Sequence, residues 1–135
     1  MKAVVFYEHG GVDKLTYADM EKPKISPYEV LVKVKACALN HLDIWVRQGL
    51  PGVEIPMPHI LGSDSVGEVA EVGIEVKNFR PGDRVIIAPG VRCRKCVYCI
   101  TYNDSMCNSF KIMGFQVQGG YAEFARAHVD NIIPV

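Results

Sequence analysis

The chain has 135 residues, and its fifteen acidic side chains balance its fifteen basic ones. No net charge therefore draws it towards nucleic acid or an anionic membrane. Apolar residues make up 49% and charged residues 22%, as in a globular domain with one core, and no apolar run approaches the roughly 18 residues of a membrane span.

The N-terminal Met1-Lys2-Ala3-Val4-Val5-Phe6-Tyr7-Glu8 lacks the long apolar region and cleavage site of a signal peptide, so the expected location is the cytoplasm. Lys2–Glu8 is β-branched and aromatic and stops at Gly10-Gly11, which predicts a first strand and a turn; Leu15–Met20 is its expected partner. Pro23 and Pro27 break any regular element. Glu29–Ala36 alternates, with Val30, Val32 and Val34 on one face and Leu31, Lys33 and Lys35 on the other, and reads as a half-buried strand. The period then changes. Leu42, Trp45 and Val46 share one helical face in Asn40–Gln48, with Asn40 as N-cap, Gly49 as stop and Trp45 expected in the core. Leu50–His59 is a proline-rich loop. Val66–Val72 returns to strand, Arg80-Pro81-Gly82-Asp83 is a turn into strand Arg84–Ala88, and Gly119–Ala127 and His128–Val135 are two closing strands.

About seven short strands, one short helix and many Gly/Pro turns predict an all-β barrel or sandwich, with residues 1–135 as one domain. Gly62-Ser63-Asp64-Ser65-Val66-Gly67 runs into a strand rather than a helix, so it does not form a pyrophosphate cradle, and no nucleotide-binding domain is expected within these residues.

Four of the five cysteines, Cys93, Cys96, Cys99 and Cys107, lie within fifteen residues at spacings C-x2-C-x2-C-x7-C. A C-x2-C step brings two sulfurs to one side of a turn, and the seven-residue return lets the loop close a fourth corner, which predicts a structural zinc. Disulfides are the weaker reading, because no signal peptide precedes the loop and Cys37 would lack a partner. An iron–sulfur cluster is the sharper rival. Its usual run places the fourth cysteine after three residues and follows it with proline, whereas here Asn108 follows Cys107. Arg92, Arg94 and Lys95 in the same turn are expected either to offset thiolate charge or to be solvated loop residues. With all four ligands taken, such a site builds structure and leaves no open position for substrate. Cys37 is expected to be a small buried residue.

Several stretches together resemble the medium-chain dehydrogenases/reductases, the superfamily of the zinc alcohol dehydrogenases and quinone oxidoreductases. They are Met1-Lys2-Ala3, Val34–Asp43, Pro58–Asp64, Gly67-Glu68-Val69, Arg80–Val85, the four-cysteine loop and Gly119-Gly120-Tyr121-Ala122-Glu123-Phe124. The resemblance implies a GroES-like, partly open β-barrel serving as the substrate-side domain, and a Rossmann domain binding NAD(P) that is absent from these residues. It also implies a homo-oligomer for the full-length protein and a small-molecule substrate: a quinone, an enone or an aldehyde.

Three positions depart from the zinc alcohol dehydrogenases. Asn40 stands where that branch has a cysteine ligand of a catalytic zinc, Ser63 where it has a histidine ligand, and Asp64 where it has a glutamate. An amide and a hydroxyl are poor zinc ligands, so the catalytic zinc is expected to be lost and the structural one kept, with an Asn as in the quinone-oxidoreductase branch. The resemblance then implies that Asn40 donates to a substrate oxygen or the cofactor, that Asp43 and Asp64 orient neighbouring groups, and that His41 contacts the cofactor pyrophosphate. The alternative is a non-enzymatic, zinc-stabilised β-domain used for binding or assembly. A nucleic-acid-binding zinc ribbon is disfavoured by the compact single loop and the neutral charge.

Overall fold

A computed structural model describes all of residues 1–135. Ten short strands dominate it: β1 (Lys2–Phe6), β2 (Thr16–Asp19), β3 (Glu29–Cys37), β4 (His59–Ile60), β5 (Ser65–Val72), β6 (Arg84–Ile87), β7 (Gly90–Val91), β8 (Lys111–Ile112), β9 (Phe124–His128) and β10 (Ile132–Pro134). Two short helices, α1 (His41–Gln48) and α2 (Val97–Ile100), complete the regular structure together with three single 3-10 turns. No helix is long and apolar enough to cross a membrane.

The strands form a five-stranded sheet in the order β10-β6-β5-β3-β9, a three-stranded sheet β2-β1-β4 and a small ribbon β7-β8. β1 and β2 pair antiparallel as predicted, with Val4 opposite Tyr17. The barrel expected from the sequence is an open one. The two larger sheets are joined where the chain entering β9 runs beside β1, with Val4 N–H donating to Tyr121 O and Glu123 N–H to Lys2 O. The predicted strand Gly119–Ala127 is therefore split. Only its second half belongs to β9, and Gly119–Tyr121 instead lies against Ile60–Gly62, donating to Ile60 O, Gly62 O and Leu61 O. Glycine is required at this approach, since a Cβ at Gly119 would meet Leu61 O at 2.2 Å. The two-residue ladders β4, β7 and β8 carry too little pattern to be read from sequence.

The main core gathers Val30, Val32, Val69, Val85, Ile87, Ala125 and Ile132 of the five-stranded sheet with Met113 packed against them. A second cluster of Phe6, Val46, Ile55 and Leu61 seats α1. Leu31, assigned by alternation to the polar face, is fully buried, because both faces of β3 are covered in its first half, where Val30, Leu31 and Val32 are all out of contact with solvent.

Trp45 is a second correction. It is 50% exposed, with its ring edge-to-face against His41 at 4.7 Å. The buried residues of α1 are Asp43 and Val46. Burying the Asp43 carboxylate turns the inward stripe of the helix away from Trp45. The helix ends as expected at Gly49, whose φ of 94° only glycine adopts freely.

Candidate functional site

The four-cysteine loop leaves β7, turns through α2 and returns to β8. Its sulfurs all lie within 4.8 Å of one another, and no other group of three or more His, Cys, Asp or Glu side chains is so placed. Cys93 Sγ is 3.9 Å from Cys99 Sγ, and Cys96 Sγ is 3.5 Å from it. A disulfide needs about 2.05 Å. Four thiolates about 2.3 Å from a central tetrahedral Zn²⁺ would stand about 3.8 Å apart, so the observed spacing fits one tetrahedral metal ion. Cys99 and Cys107 are buried, and Cys93 and Cys96 are half-buried.

The thiols differ in acidity for local reasons. Backbone N–H groups of Lys95 and Cys96 point at Cys93 and lower it to about 6, whereas burial and the neighbouring sulfurs push Cys99 up to about 11. Four sulfurs this close repel one another as thiolates, and a bound cation would relieve that repulsion.

The arginines of this loop do another job. Arg92 pairs with Asp104 and lies 3.6 Å from Asp130. Arg94 donates to Asp130 Oδ2 at 3.1 Å, Asn131 Oδ1 at 3.0 Å and Arg92 O at 3.0 Å. Asn131 in turn donates to Ala88 O and Gly90 O, at 2.8 and 2.7 Å. These side chains tie the metal loop to the turn before β10, so the ion pairs of Arg92 and Arg94 serve anchorage, while Lys95 is exposed.

Asn40, His41, Asp43 and Asp64 come together at the N-terminus of α1 and the turn before β5. Asn40 Nδ2 donates to Asp64 Oδ2 at 2.8 Å. Asp43 is 7% exposed, and both of its oxygens are occupied. Oδ2 accepts from Asn40 N–H at 2.8 Å and from the Tyr121 hydroxyl at 2.7 Å, and Oδ1 accepts from Gly62 N–H at 3.1 Å. Asn40 is thus the N-cap expected, in a capping box with Asp43. Burial, and then the bond to Asp43, raise the Tyr121 phenol, which stays protonated and a donor. His41 is exposed on the first turn of α1.

Ser63 does not join this group. It is buried, and its hydroxyl donates to Met113 O at 2.8 Å. His59 also turns away, 1% exposed, with Nε2 3.2 Å from Gly114 O and its ring edge-on to Phe6. Burial lowers its pKa. Cys37 is only half-buried and accepts from the Ser65 hydroxyl at 3.3 Å, with its thiol pushed up by burial.

Tyr121 is the residue that sequence reasoning quoted only as part of a motif. Its partner Asp43 is 78 residues away, and no local spacing signals that contact. Asn131 escaped notice for the same reason.

The chain belongs to the alcohol dehydrogenase GroES-like domain family, whose model matches residues 26–135. An alcohol dehydrogenase of Geobacillus stearothermophilus is 39% identical over 123 residues, covering 90% of this chain and 36% of that protein. An NAD-dependent alcohol dehydrogenase of Sulfolobus acidocaldarius is 34% identical over 129 residues, covering 92% and 37%. Among solved structures, an NAD-dependent alcohol dehydrogenase superposes with a TM-score of 0.96 at 43% identity, over 99% of this chain and 39% of that one. A cobalt- and zinc-bound thermostable alcohol dehydrogenase from Pyrobaculum aerophilum gives 0.91 at 36% identity, over 100% and 41%. The chain therefore spans about two fifths of the length of these relatives.

Proposed function

We propose that this chain is the substrate-side domain of an NAD(P)-dependent oxidoreductase that reduces a quinone or an activated carbonyl, an enone or an aldehyde. In this reading the four cysteines hold a structural zinc, and no catalytic zinc sits at Asn40. The observation that carries it is the hydrogen bond from Asn40 Nδ2 to Asp64 Oδ2. Where a metal-dependent relative would present a thiolate, this chain presents an amide already held by a carboxylate. Ser63, at the position of a second ligand, spends its hydroxyl on a backbone carbonyl. Asp64 alone is a weak set of donors for Zn²⁺.

A nicotinamide, when bound by the remainder of the protein, supplies the hydride. Conjugation in a quinone or enone spreads the arriving charge, so hydrogen-bond donors replace the Lewis acid that alcohol oxidation needs. The amide of Asn40 carries two hydrogens. One is bound to Asp64, and the other is left to donate to the substrate oxygen as negative charge builds on it. Asp43 and Asp64 orient the amide. His41, exposed beside it, contacts the cofactor pyrophosphate. The full-length protein forms a homo-oligomer and works in the cytoplasm.

The test is to read the gene beyond the codon for Val135 and to assay the complete polypeptide with NADPH or NADH and a para-quinone. Asn40→Ala should lower turnover at least tenfold, since one lost donor to developing charge costs about this much or more, while the lost helix cap, about 1 kcal/mol, should lower the melting temperature by only about 4 °C and leave the chain folded. An unchanged rate removes Asn40 from the mechanism. A reading frame without a nucleotide-binding half would leave the zinc-stabilised binding module as the better account.

A further inference from the structure

The hydrogen bonds around Asp43 have an order that goes beyond holding a helix end. Tyr121 reaches Asn40 from both sides along the chain. Its hydroxyl lies 2.7 Å from Asp43 Oδ2 and 3.2 Å from Ala38 O, so it ties residues two before and three after Asn40. Through Asp43 it also reaches the other partner of the amide, because Asp43 Oδ1 takes the N–H of Gly62, two residues before Asp64. The ring packs on the same turn, since a Cβ at Gly62 would fall 2.6 Å from Tyr121 Cδ1. One phenol thus braces both ends of the Asn40–Asp64 hydrogen bond. It does so from the segment Gly119–Glu123, which the backbone fixes between β1 and Leu61.

We infer that Tyr121 is a positioning residue: its hydroxyl, acting through Asp43, sets the direction in which the Asn40 amide presents its free N–H. The inference rests on the role proposed above for Asn40. A donor displaced by a fraction of an ångström from the reacting oxygen loses much of its effect on the transition state while ground-state binding is little altered. The packing of the ring is a separate matter, and Tyr121→Phe separates the two because it keeps the ring on Gly62 and removes only the hydroxyl.

The experiment has two arms. In the complete polypeptide, assayed with NADPH and a para-quinone, Tyr121→Phe should lower kcat about tenfold and leave KM within about twofold. The same change made on top of Asn40→Ala should cost nothing further, since the two act as one unit. An equal loss in both backgrounds, or no loss in the first, overturns the inference. The second arm needs no activity. In the 15N-labelled 135-residue chain, Tyr121→Phe should shift the side-chain amide signals of Asn40, and Asp43→Asn, which keeps the shape of the carboxylate, should shift them in the same sense. Unmoved Asn40 amide signals in a folded Tyr121→Phe chain overturn it whatever the enzyme does. If no quinone is reduced while the amide signals move, the proposed reaction fails and the positioning by Tyr121 stands.

Discussion

Replacing Asn131 by alanine tests how the metal loop is fastened to the domain. Asn131 is 7% exposed and makes three side-chain hydrogen bonds, two to the carbonyls of Ala88 and Gly90 and one from the guanidinium of Arg94. Each bond contributes about 1 kcal/mol net, somewhat more when one partner is charged, so Asn131→Ala should cost about 3 kcal/mol. Unfolding entropy of about 2.1 cal/mol/K per residue gives about 0.28 kcal/mol/K for a chain of this size, and the melting temperature should fall by about 11 °C. The loop should also give up its metal sooner. Arg94 holds a left-handed conformation, φ 65°, which costs a non-glycine residue about 1–2 kcal/mol, and its bond to Asn131 helps hold it there. The assay is calorimetry of the zinc-loaded chain, with chelator-driven zinc release followed by a colorimetric dye. A fall of less than about 4 °C with unchanged release would refute this account of the anchor.

Two further outcomes follow from the same geometry. A strong chelator should withdraw one zinc per colourless chain and lower its melting temperature, and Cys107→Ser should abolish stoichiometric zinc; a brown protein with visible absorption would instead indicate an iron–sulfur cluster. Burial holds His59 neutral with its pKa lowered, so below about pH 6.5 the unfolded chain takes up a proton that the folded one resists, and stability falls as pH drops through that value. His128 is shifted the same way, so His59→Gln should flatten, not remove, the fall in urea midpoint between pH 7.5 and 5.5. An identical slope in the variant would mean that His59 does not contribute.

What could be read from the sequence was whatever one short stretch determines. The cysteine spacing foretold a four-sulfur cluster because all four ligands lie in a single loop. Asn40 and Gly49 marked both ends of α1 because caps are local. Alternation found β3, but it misplaced Leu31, since period 2 describes a strand with one covered face and β3 has two. Trp45 went astray because the stripe on α1 was scored by apolar residues alone. The helix is turned by a buried carboxylate, and nothing near Asp43 in the chain announces that Gly62 and Tyr121 will supply its donors. The two-residue ladders have no period to detect.

The two halves of the candidate site are linked by the segment that leaves the metal loop. After Cys107 the chain passes through β8 and then presents Met113 O to the Ser63 hydroxyl and Gly114 O to His59. Gln118, four residues on, accepts from Ile60 N–H with its side-chain Oε1. Residues 113–118 therefore form the wall behind Gly62–Asp64, and the closing of the cysteine loop fixes where that wall begins. A metal held by the four cysteines would steady this segment and, through the bond from the Ser63 hydroxyl to Met113 O, the turn that carries Asp64. In this fold the loop holds a backbone in place, since its return through β8 sets the position of the carbonyl that Ser63 binds.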